Sequence, residues 1–520
     1  MAGILNFSRW RDGLPTYGVP LALAAVGVAW GLFLGRFSLL NGLLLTALAA
    51  VAIGSLLEPL VGVGAALFLG PLWAWLRAEL PQVSPLIGQW VFLMAAAIWM
   101  ARGLLRRDLR VPFPPLLLPL LGFMIGVLPS LWNPADVWIG FWEWAKWGQI
   151  LLMFLLVYDR VRSAAGRRRA AVIVGLLAGV AVFQAAMGLW QFGLRGEGPE
   201  HFAINARFYR AYGTFEQPNP YAGFLGMMGA ILAGVVLSWG VDLVTKAAGR
   251  RQRRGKVFLS DLLSLPPDHV SLPVGFAGLA LLIVGAALVA SWSRGAWMGF
   301  GAALLTMVAA LPRRGVWGVA LVAVLVVGGL GLYGAHLLPP AVADRLTGFL
   351  EYTRFEDVRG VGINDANFAV VERMAHWQSA LEMWRAHFWV GVGFGCYEPA
   401  YPDYKFINWP IALGHAHNYY LNLLAETGVP GLAAYLLLLG SVFVGLWRAS
   451  RRLAGWPRGL AVGLIGAWMH FAVHNCVDNI LVNNVHLHLG VMLALSAWVI
   501  VTVRDASAPR VAGARAASSV

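Results

Sequence analysis

Charged residues are scarce in this chain. Only 12% of its 520 residues are Asp, Glu, Lys or Arg, whereas 59% are hydrophobic and 24 are tryptophans. A soluble domain carries about twice that share of charge, so a soluble globular protein is excluded. The apolar strings run for roughly 17 to 25 residues, enough to cross a membrane as helices, and the ten-residue alternation of a membrane barrel is absent. The predicted fold class is therefore all-α, a polytopic membrane protein.

Several sequence motifs are also absent. The chain contains no Asp-x-Asp pair, which disfavours the sugar transferases that hold a nucleotide diphosphate through a divalent ion. It contains no GxxxxGK[ST] motif, which disfavours ATP-driven transport by this chain alone. The His-x-His pairs at 415/417 and 486/488 could ligate zinc, but neither has a nearby cysteine or a convincing third ligand. We therefore predict no metal site and no cofactor.

Cysteine is nearly missing as well. Cys396 and Cys476 are the only two, and both fall on the outer side of the predicted topology. A disulfide between them is one reading and two free thiols are the other, because nothing in the sequence fixes their separation.

The basic residues indicate how the chain crosses the membrane. We predict about fourteen spans, with twelve as the alternative, and about two thirds of the 39 Lys and Arg residues then lie in cytoplasmic segments. The first span reads as a retained signal anchor. Both termini are expected to be cytoplasmic, and nucleic acid is not an expected partner. The predicted spans are 18–35, 39–57, 60–76, 86–102, 114–131, 145–158, 170–194, 219–244, 272–291, 295–311, 316–335, 428–447, 459–476 and 485–503.

The chain divides into five predicted parts. Three are membrane regions, with scaffold helices at 1–170, helices that carry the candidate arginines at 171–335, and C-terminal helices at 428–503. Residues 336–427 form a large extracytoplasmic loop, and 504–520 form a cytoplasmic tail. The basic stretch within 245–270 is expected to contact anionic lipid headgroups.

The large loop is expected to be partly helical. Its apolar residues Met374, Trp377, Leu381, Trp384 and Phe388 are spaced by three and four. This spacing predicts an amphipathic helix between 365 and 388 that lies over the bundle through that stripe.

Polar side chains collect in three patches on the predicted outer face, where charge is costly and tends to mark function. The first patch contains Arg210 and Asn219, the second contains Arg294 between two closely spaced spans, and the third is GHAHNYYLNLLAE. Two guanidinium groups from different helices suit a lipid diphosphate. The alternatives are that each arginine reaches lipid headgroups or pairs with an acid, Glu216 or Glu426.

The third patch carries the groups for proton transfer. It contains His415, His417, Asn418 and Glu426. A histidine can accept a proton near neutral pH, which activating a hydroxyl nucleophile requires. The other reading is that these histidines are hydrogen-bonded structural residues, and that Glu426 caps a helix or orients a neighbour.

These blocks resemble the O-antigen ligase and polymerase superfamily of bacterial envelope glycosyltransferases. The resemblance covers about residues 205–480. It lies in RAYGTFEQPNPYAGF, in SWSRGAW, in the Arg373 block that ends in GVGFG, and in His417-Asn418 followed by Gly428 and Gly431. It implies an inverting, metal-independent transfer of a glycan from an undecaprenyl diphosphate carrier to an acceptor hydroxyl. His417 would be the general base, and Arg210 and Arg294 would bind the diphosphate.

The resemblance also supplies secondary expectations. Asn219, His415, Asn418, Glu426, Asp478 and Arg373 are candidates for binding substrate or orienting His417. The expected location is the cytoplasmic (inner) membrane with the active site on the periplasmic face. The expected partners are the lipid-linked glycan donor, a glycan or protein hydroxyl acceptor, and membrane lipid.

The acceptor is the open point. The leading hypothesis is an O-antigen ligase that attaches polysaccharide to lipid A core. A polymerase of O-antigen or capsule repeat units and a protein O-oligosaccharyltransferase use the same donor chemistry. A lipid-linked oligosaccharide flippase is the alternative from another class, although a transporter would show mid-membrane ionisable residues or inverted repeats.

Overall fold

The protein is an all-α membrane protein. Its structure, a computed structural model, describes residues 18–107, 111–204, 207–254, 271–337, 343, 345, 347, 357–364 and 367–507. The N-terminal helices are α1 (Gly18–Leu34), α2 (Leu39–Leu57), α3 (Leu60–Leu69), α4 (Trp73–Glu79), α5 (Ile87–Leu105), α6 (Leu117–Gly126), α7 (Val137–Val161) and α8 (Gly166–Gly193).

The remaining helices carry the polar patches. They are α9 (Pro218–Arg254), α10 (Ser271–Ala290), α11 (Arg294–Ala310), α12 (Gly315–Gly334), α13 (Phe368–Ala386), α14 (Tyr397–Tyr404), α15 (Tyr419–Arg452), α16 (Gly455–His474) and α17 (Val485–Ser507). Most of the predicted cytoplasmic loop 245–270 and of the tail 504–520 lies outside the described residues.

Every predicted span coincides with a helical segment of the described chain. Within the part of the chain that the structure describes, eight helices are long and apolar enough to cross a membrane on length and composition alone. The polytopic helical architecture is therefore confirmed, and the number fourteen stays a prediction. Of these eight helices α12 is the most exposed, because only 6% of its most apolar stretch is buried within the protein.

Some predicted span boundaries differ from the structure. The segment predicted as 60–76 is two helices joined by a 3-10 turn at Gly70–Leu72. Pro71 lies in this turn, and Gly88 packs on Gly70 so closely that a Cβ at Gly88 would lie 2.8 Å from the Gly70 nitrogen. A proline without an N–H and a close backbone contact together favour the break. The span predicted as 428–447 starts instead at Tyr419 and is kinked at Gly428.

The predicted amphipathic helix exists as α13, but it buries a different face. Its buried side includes Val371, Ala375, Ser379 and Met383, which recur every four residues. Of the predicted stripe only Met374 is buried, and Phe388 is 42% exposed. The prediction followed the largest apolar residues, whereas close packing of α13 against α15 selects small ones.

Charged residues collect at two opposite ends of the bundle. At one end Glu58 pairs with Arg160 at 2.8 Å and with Arg169 at 3.1 Å. These ion pairs join the end of α2 to the end of α7 and the start of α8. The other end holds the candidate site. The interior between them is lined mainly by Leu, Ala, Val and Phe.

Helices α9 and α16 pack unusually closely. A Cβ at Gly234 would lie 2.4 Å from Gly463 Cα, and one at Gly226 would lie 2.0 Å from the His470 ring. The absence of side chains at these positions lets the two backbones approach each other. The pair therefore fixes the start of α9 and the end of α16 relative to each other, and both ends border the candidate site.

Candidate functional site

Four arginines line one cavity of about 500 Å³. They are Arg210, Arg294, Arg345 and Arg373, and they come from four separate segments of the chain. Asp478 is the acidic residue in the same wall. The structure thus brings the two predicted diphosphate ligands together and adds two further cations.

Arg210 is held by hydrogen bonds to two neighbouring segments. Its Nε donates to the Ser291 carbonyl and its Nη2 donates to Asn219 Oδ1, both at 3.0 Å. The same Asn219 oxygen accepts a hydrogen bond from the Ser293 hydroxyl at 2.9 Å. Asn219, predicted as a substrate-binding candidate, therefore also couples Arg210 to the turn that precedes Arg294.

The turn before α11 organises the other side of the cavity. Trp292 adopts a positive φ of 55°, which reverses the chain so that Arg294 becomes the first residue of α11. Arg345 donates from Nη2 to the Trp292 carbonyl at 2.8 Å. Arg373 donates from Nε to the Val477 carbonyl at 3.3 Å, next to Asp478. Together with the Arg210–Ser291 contact, backbone carbonyls thus position three of the four guanidinium groups.

The cavity favours an anion. Burial, reinforced by the positive charges of Arg345, Arg373 and Arg294, lowers the pKa of Arg210 to about 9. Burial and the charges of Arg294 and Arg373 lower the pKa of Arg345 to about 10. Cations that are buried and crowded together gain most from a ligand with two or more negative charges. A diphosphate has this charge and fits a cavity of this volume.

His415, His417 and Asp478 form a cluster beside the arginine cavity. Asp478 Oδ1 lies 3.8 Å from His417 Nδ1 and 3.9 Å from His415 Nε2. Burial would raise the pKa of Asp478, but interaction with the two imidazoles and with Arg373 lowers it below the usual range. Asp478 is therefore a carboxylate, and it can hold the Nδ1 proton of His417 and leave Nε2 as the base.

The His417 ring does not line the arginine cavity. Both of its nitrogens are buried and have no hydrogen-bond partner among the described residues. Trp377, whose indole N–H donates to the His417 carbonyl at 3.4 Å, lines the cavity together with Asp478. His417 also adopts a positive φ of 50°, a strained conformation for a residue with a side chain.

The cluster of two histidines and one aspartate has the composition of a metal site. Ligand atoms of His415, His417 and Asp478 lie within 4.8 Å of one another, so the expectation that the 415/417 pair lacks a third ligand is wrong. However, His415 Nδ1 accepts a hydrogen bond from the His417 backbone N–H at 3.0 Å. The proton of the neutral His415 ring must then reside on Nε2, which faces Asp478 as a donor rather than as a metal ligand. The hydrogen bonding favours a proton-transfer cluster.

Asn418 and Glu426 have structural roles in this arrangement. The Asn418 side chain caps α15 by accepting from the N–H groups of Tyr420 and Leu421. Glu426 accepts from the Tyr397 N–H at 3.1 Å, which ties the start of α14, just after the GVGFG segment, to α15. These contacts hold the histidine loop over the helix.

Arg345 is the site residue that the sequence reasoning missed. It lies in a stretch of the large loop with no motif and no apolar periodicity. The only available signal was a basic residue on the predicted outer side, where most basic residues are not expected. The two cysteines are free, with Cys396 buried and Cys476 exposed.

The fold and the cavity define a polytopic helical membrane protein with an arginine-lined cavity beside a His–Asp cluster at one end of the bundle. Residues 279–436 match the family described as O-antigen ligase, which assigns this part of the chain to the O-antigen ligase and polymerase superfamily. The matched segment contains Arg294, Arg345, Arg373, His415 and His417. No curated protein matched the chain. The family resemblance predicted from the sequence is confirmed over residues 279–436, and it supports a membrane glycosyltransferase.

Proposed function

We propose that the protein transfers a glycan from a polyprenyl diphosphate carrier to an acceptor hydroxyl, most simply as an O-antigen ligase acting on lipid A core. The observation that carries the proposal is the cavity in which four arginines face Asp478, next to His417, in a chain that matches the O-antigen ligase family. The arginines provide the anion site and the His–Asp pair provides the base.

The reaction is a single displacement. The acceptor oxygen attacks the anomeric carbon of the donor sugar while the bond from that carbon to the diphosphate oxygen breaks. The hydroxyl proton passes to Nε2 of His417, and the electron pair of the broken bond leaves with the polyprenyl diphosphate. Attack from the face opposite the leaving group inverts the anomeric configuration.

The four guanidinium groups stabilise charge that develops on the leaving diphosphate, the role that a divalent ion has in other transferases. Asp478 stabilises the imidazolium form of His417 until the proton returns to water. Because both nitrogens of His417 are buried, substrate binding has to open access to Nε2 while Asp478 stays beside Nδ1. Catalytic hydrogen bonds that form only in the complex are common in enzymes.

The test is a reconstituted assay in chelator with an undecaprenyl-diphosphate glycan and a panel of acceptors. Arg210→Ala is expected to lower the transfer rate about 10²- to 10³-fold, as loss of one positioned charge does. Arg207→Ala is the matched control, because the exposed Arg207 guanidinium lies 5.4 Å from the Phe208 ring outside the cavity lining. Equal rates for the two variants, or a strict requirement for a divalent ion, would contradict the proposal.

A further inference from the structure

A second cavity lies on the opposite side of the histidine cluster. It has a volume of about 710 Å³ and is lined by residues that include Trp73, Glu143, Lys146, His415 and Asn422. His415 belongs to its wall, and Asp478, 3.9 Å from His415, belongs to the wall of the arginine cavity. One side-chain contact therefore separates the two cavities.

The two cavities differ in charge. The arginine cavity holds four cations against one carboxylate among its charged groups. In the second cavity the basic residues Lys146 and Arg77 are matched by the acidic residues Glu143, Glu216 and Glu426, and Lys146 pairs with Glu143 three residues earlier on α7. The second cavity therefore lacks the excess positive charge that would attract a diphosphate.

The remaining lining suits a neutral polyol. Amide side chains at Asn422, Asn483 and Gln217 offer donors and acceptors, and Trp73 and Tyr419 offer aromatic surface. A ligand pocket of this size with apolar walls and a few polar groups orients a ligand by hydrogen bonds. A sugar has alternating hydroxyl groups and apolar C–H faces, which match both kinds of surface.

We propose that the second cavity is the acceptor site and that it holds a neutral, polyhydroxylated sugar residue. This inference rests on the function proposed above. The acceptor hydroxyl would reach the His415–Asp478 contact from one side, and the donor diphosphate would reach it from the other. The histidine cluster would then border both substrates where they meet, so that the acceptor oxygen contacts the anomeric carbon while its proton passes to the imidazole.

The arrangement assigns a specificity role to α4 and α7. Trp73 is the first residue of α4, and the Glu143–Lys146 pair lies two turns into α7. Both helices belong to the region predicted as scaffold, so the scaffold helices also shape the acceptor cavity.

The experiment measures the Michaelis constants of donor and acceptor separately. The acceptor is lipid A core extracted from a strain that lacks this protein, and the donor is an undecaprenyl-diphosphate glycan. Trp73→Ala and the paired Glu143→Gln/Lys146→Met variant are expected to raise the acceptor KM about tenfold, as loss of one or two hydrogen bonds or of aromatic contact does. The donor KM should stay within about twofold of the wild-type value.

Two controls keep the result interpretable. Trp142→Ala removes a 66% exposed tryptophan from the same helix as Glu143 and should leave both constants unchanged. Stabilisation of the variants by inorganic pyrophosphate against heat shows that the arginine cavity is intact. An unchanged acceptor KM, or a parallel rise in the donor KM, would overturn the inference.

Failure of the proposed function gives a different result. Direct binding of the lipid A core to the wild-type protein is measured alongside transfer. Binding that the Trp73→Ala variant weakens, without any transfer by the wild-type protein, would reject the proposed reaction and support the site. Transfer by the wild-type protein with unaltered acceptor binding in both cavity variants would reject the site and support the reaction.

Discussion

Nδ1 of His417 lies 3.8 Å from Oδ1 of Asp478, although 60 positions separate the two residues in the chain. The ends of two different segments meet here, since His417 immediately precedes the cap of α15 and Asp478 lies between α16 and α17. The nearby carboxylate favours the tautomer with the proton on Nδ1, which leaves Nε2 as the base.

Replacing Asp478 tests this pairing. Asp478→Asn keeps the size of the side chain and removes its charge, so kcat should fall by about 10²-fold or more, with little change in donor KM. The matched comparison is His417→Ala, which should cost at least as much. The measurement is steady-state transfer by each variant at saturating donor. A wild-type kcat for Asp478→Asn would remove Asp478 from the mechanism.

Pyrophosphate should stabilise the protein through the arginine cavity. Burial and the neighbouring positive charges lower the pKa values of Arg210 and Arg345, so an anion among the guanidinium groups should be favoured. At a ligand concentration about 100 times the Kd, the stabilisation is about 2.7 kcal/mol, measured as a rise in unfolding temperature. Arg345→Ala should remove most of the rise, whereas Arg385→Ala, an exposed control paired with Glu382, should keep it. Equal responses would show that pyrophosphate binds elsewhere.

The exposed thiol of Cys476 reports on orientation. Cys476 lies in the connection between α16 and α17 at the end that carries the arginine cavity, and Cys396 is buried. A membrane-impermeant maleimide should label intact spheroplasts through Cys476, and Cys476→Ser should abolish the label. Labelling that appears only after the membrane is permeabilised would place the site on the cytoplasmic face.

Two histidines should make stability depend on pH. Burial and the neighbouring His417 lower the pKa of both His376 and His415 to about 4, from an ordinary value near 6.5. The unfolded chain then binds more protons than the folded protein between these values. Stability is full above pH ~6.5 and falls as the pH drops towards 4, by about 1 to 3 kcal/mol for each histidine. Unfolding temperatures of the wild-type protein and of His376→Gln across this range provide the test, and the variant should show a flatter dependence.

Gly428 should resist substitution. It has a φ of 64°, and a Cβ there would lie 2.4 Å from the backbone carbonyl of Trp389. Gly428→Ala should therefore destabilise the protein by more than the 1 to 3 kcal/mol of backbone strain alone. Gly440→Ala is the control on the same helix, because a Cβ at Gly440 meets nothing within 4 Å. Equal unfolding temperatures for the two variants would contradict the packing argument.

Hydropathy and motifs predicted the spans and most of the site, because both depend on local sequence. Arg210, Arg294 and His417 could be selected before the fold was known, since each lies in a recognisable block on the predicted outer face. Arg345 could not, because a lone arginine in a loop shows its role only when a neighbouring carbonyl, that of Trp292, positions it. The buried face of α13 was also missed, because small residues such as Ala375 and Ser379 carry little hydropathic signal.

The glycine contacts between α9 and α16 bear on how this site can be re-engineered. Asn219 lies at the start of α9, and Asp478 lies four residues after the end of α16. The closely packed α9–α16 pair therefore positions both residues of the arginine cavity. Trp73 and Glu143 belong to α4 and α7, which are not part of this helix pair. Libraries aimed at new acceptors can therefore vary Trp73 and the Glu143–Lys146 pair while Gly226, Gly234 and Gly463 stay untouched.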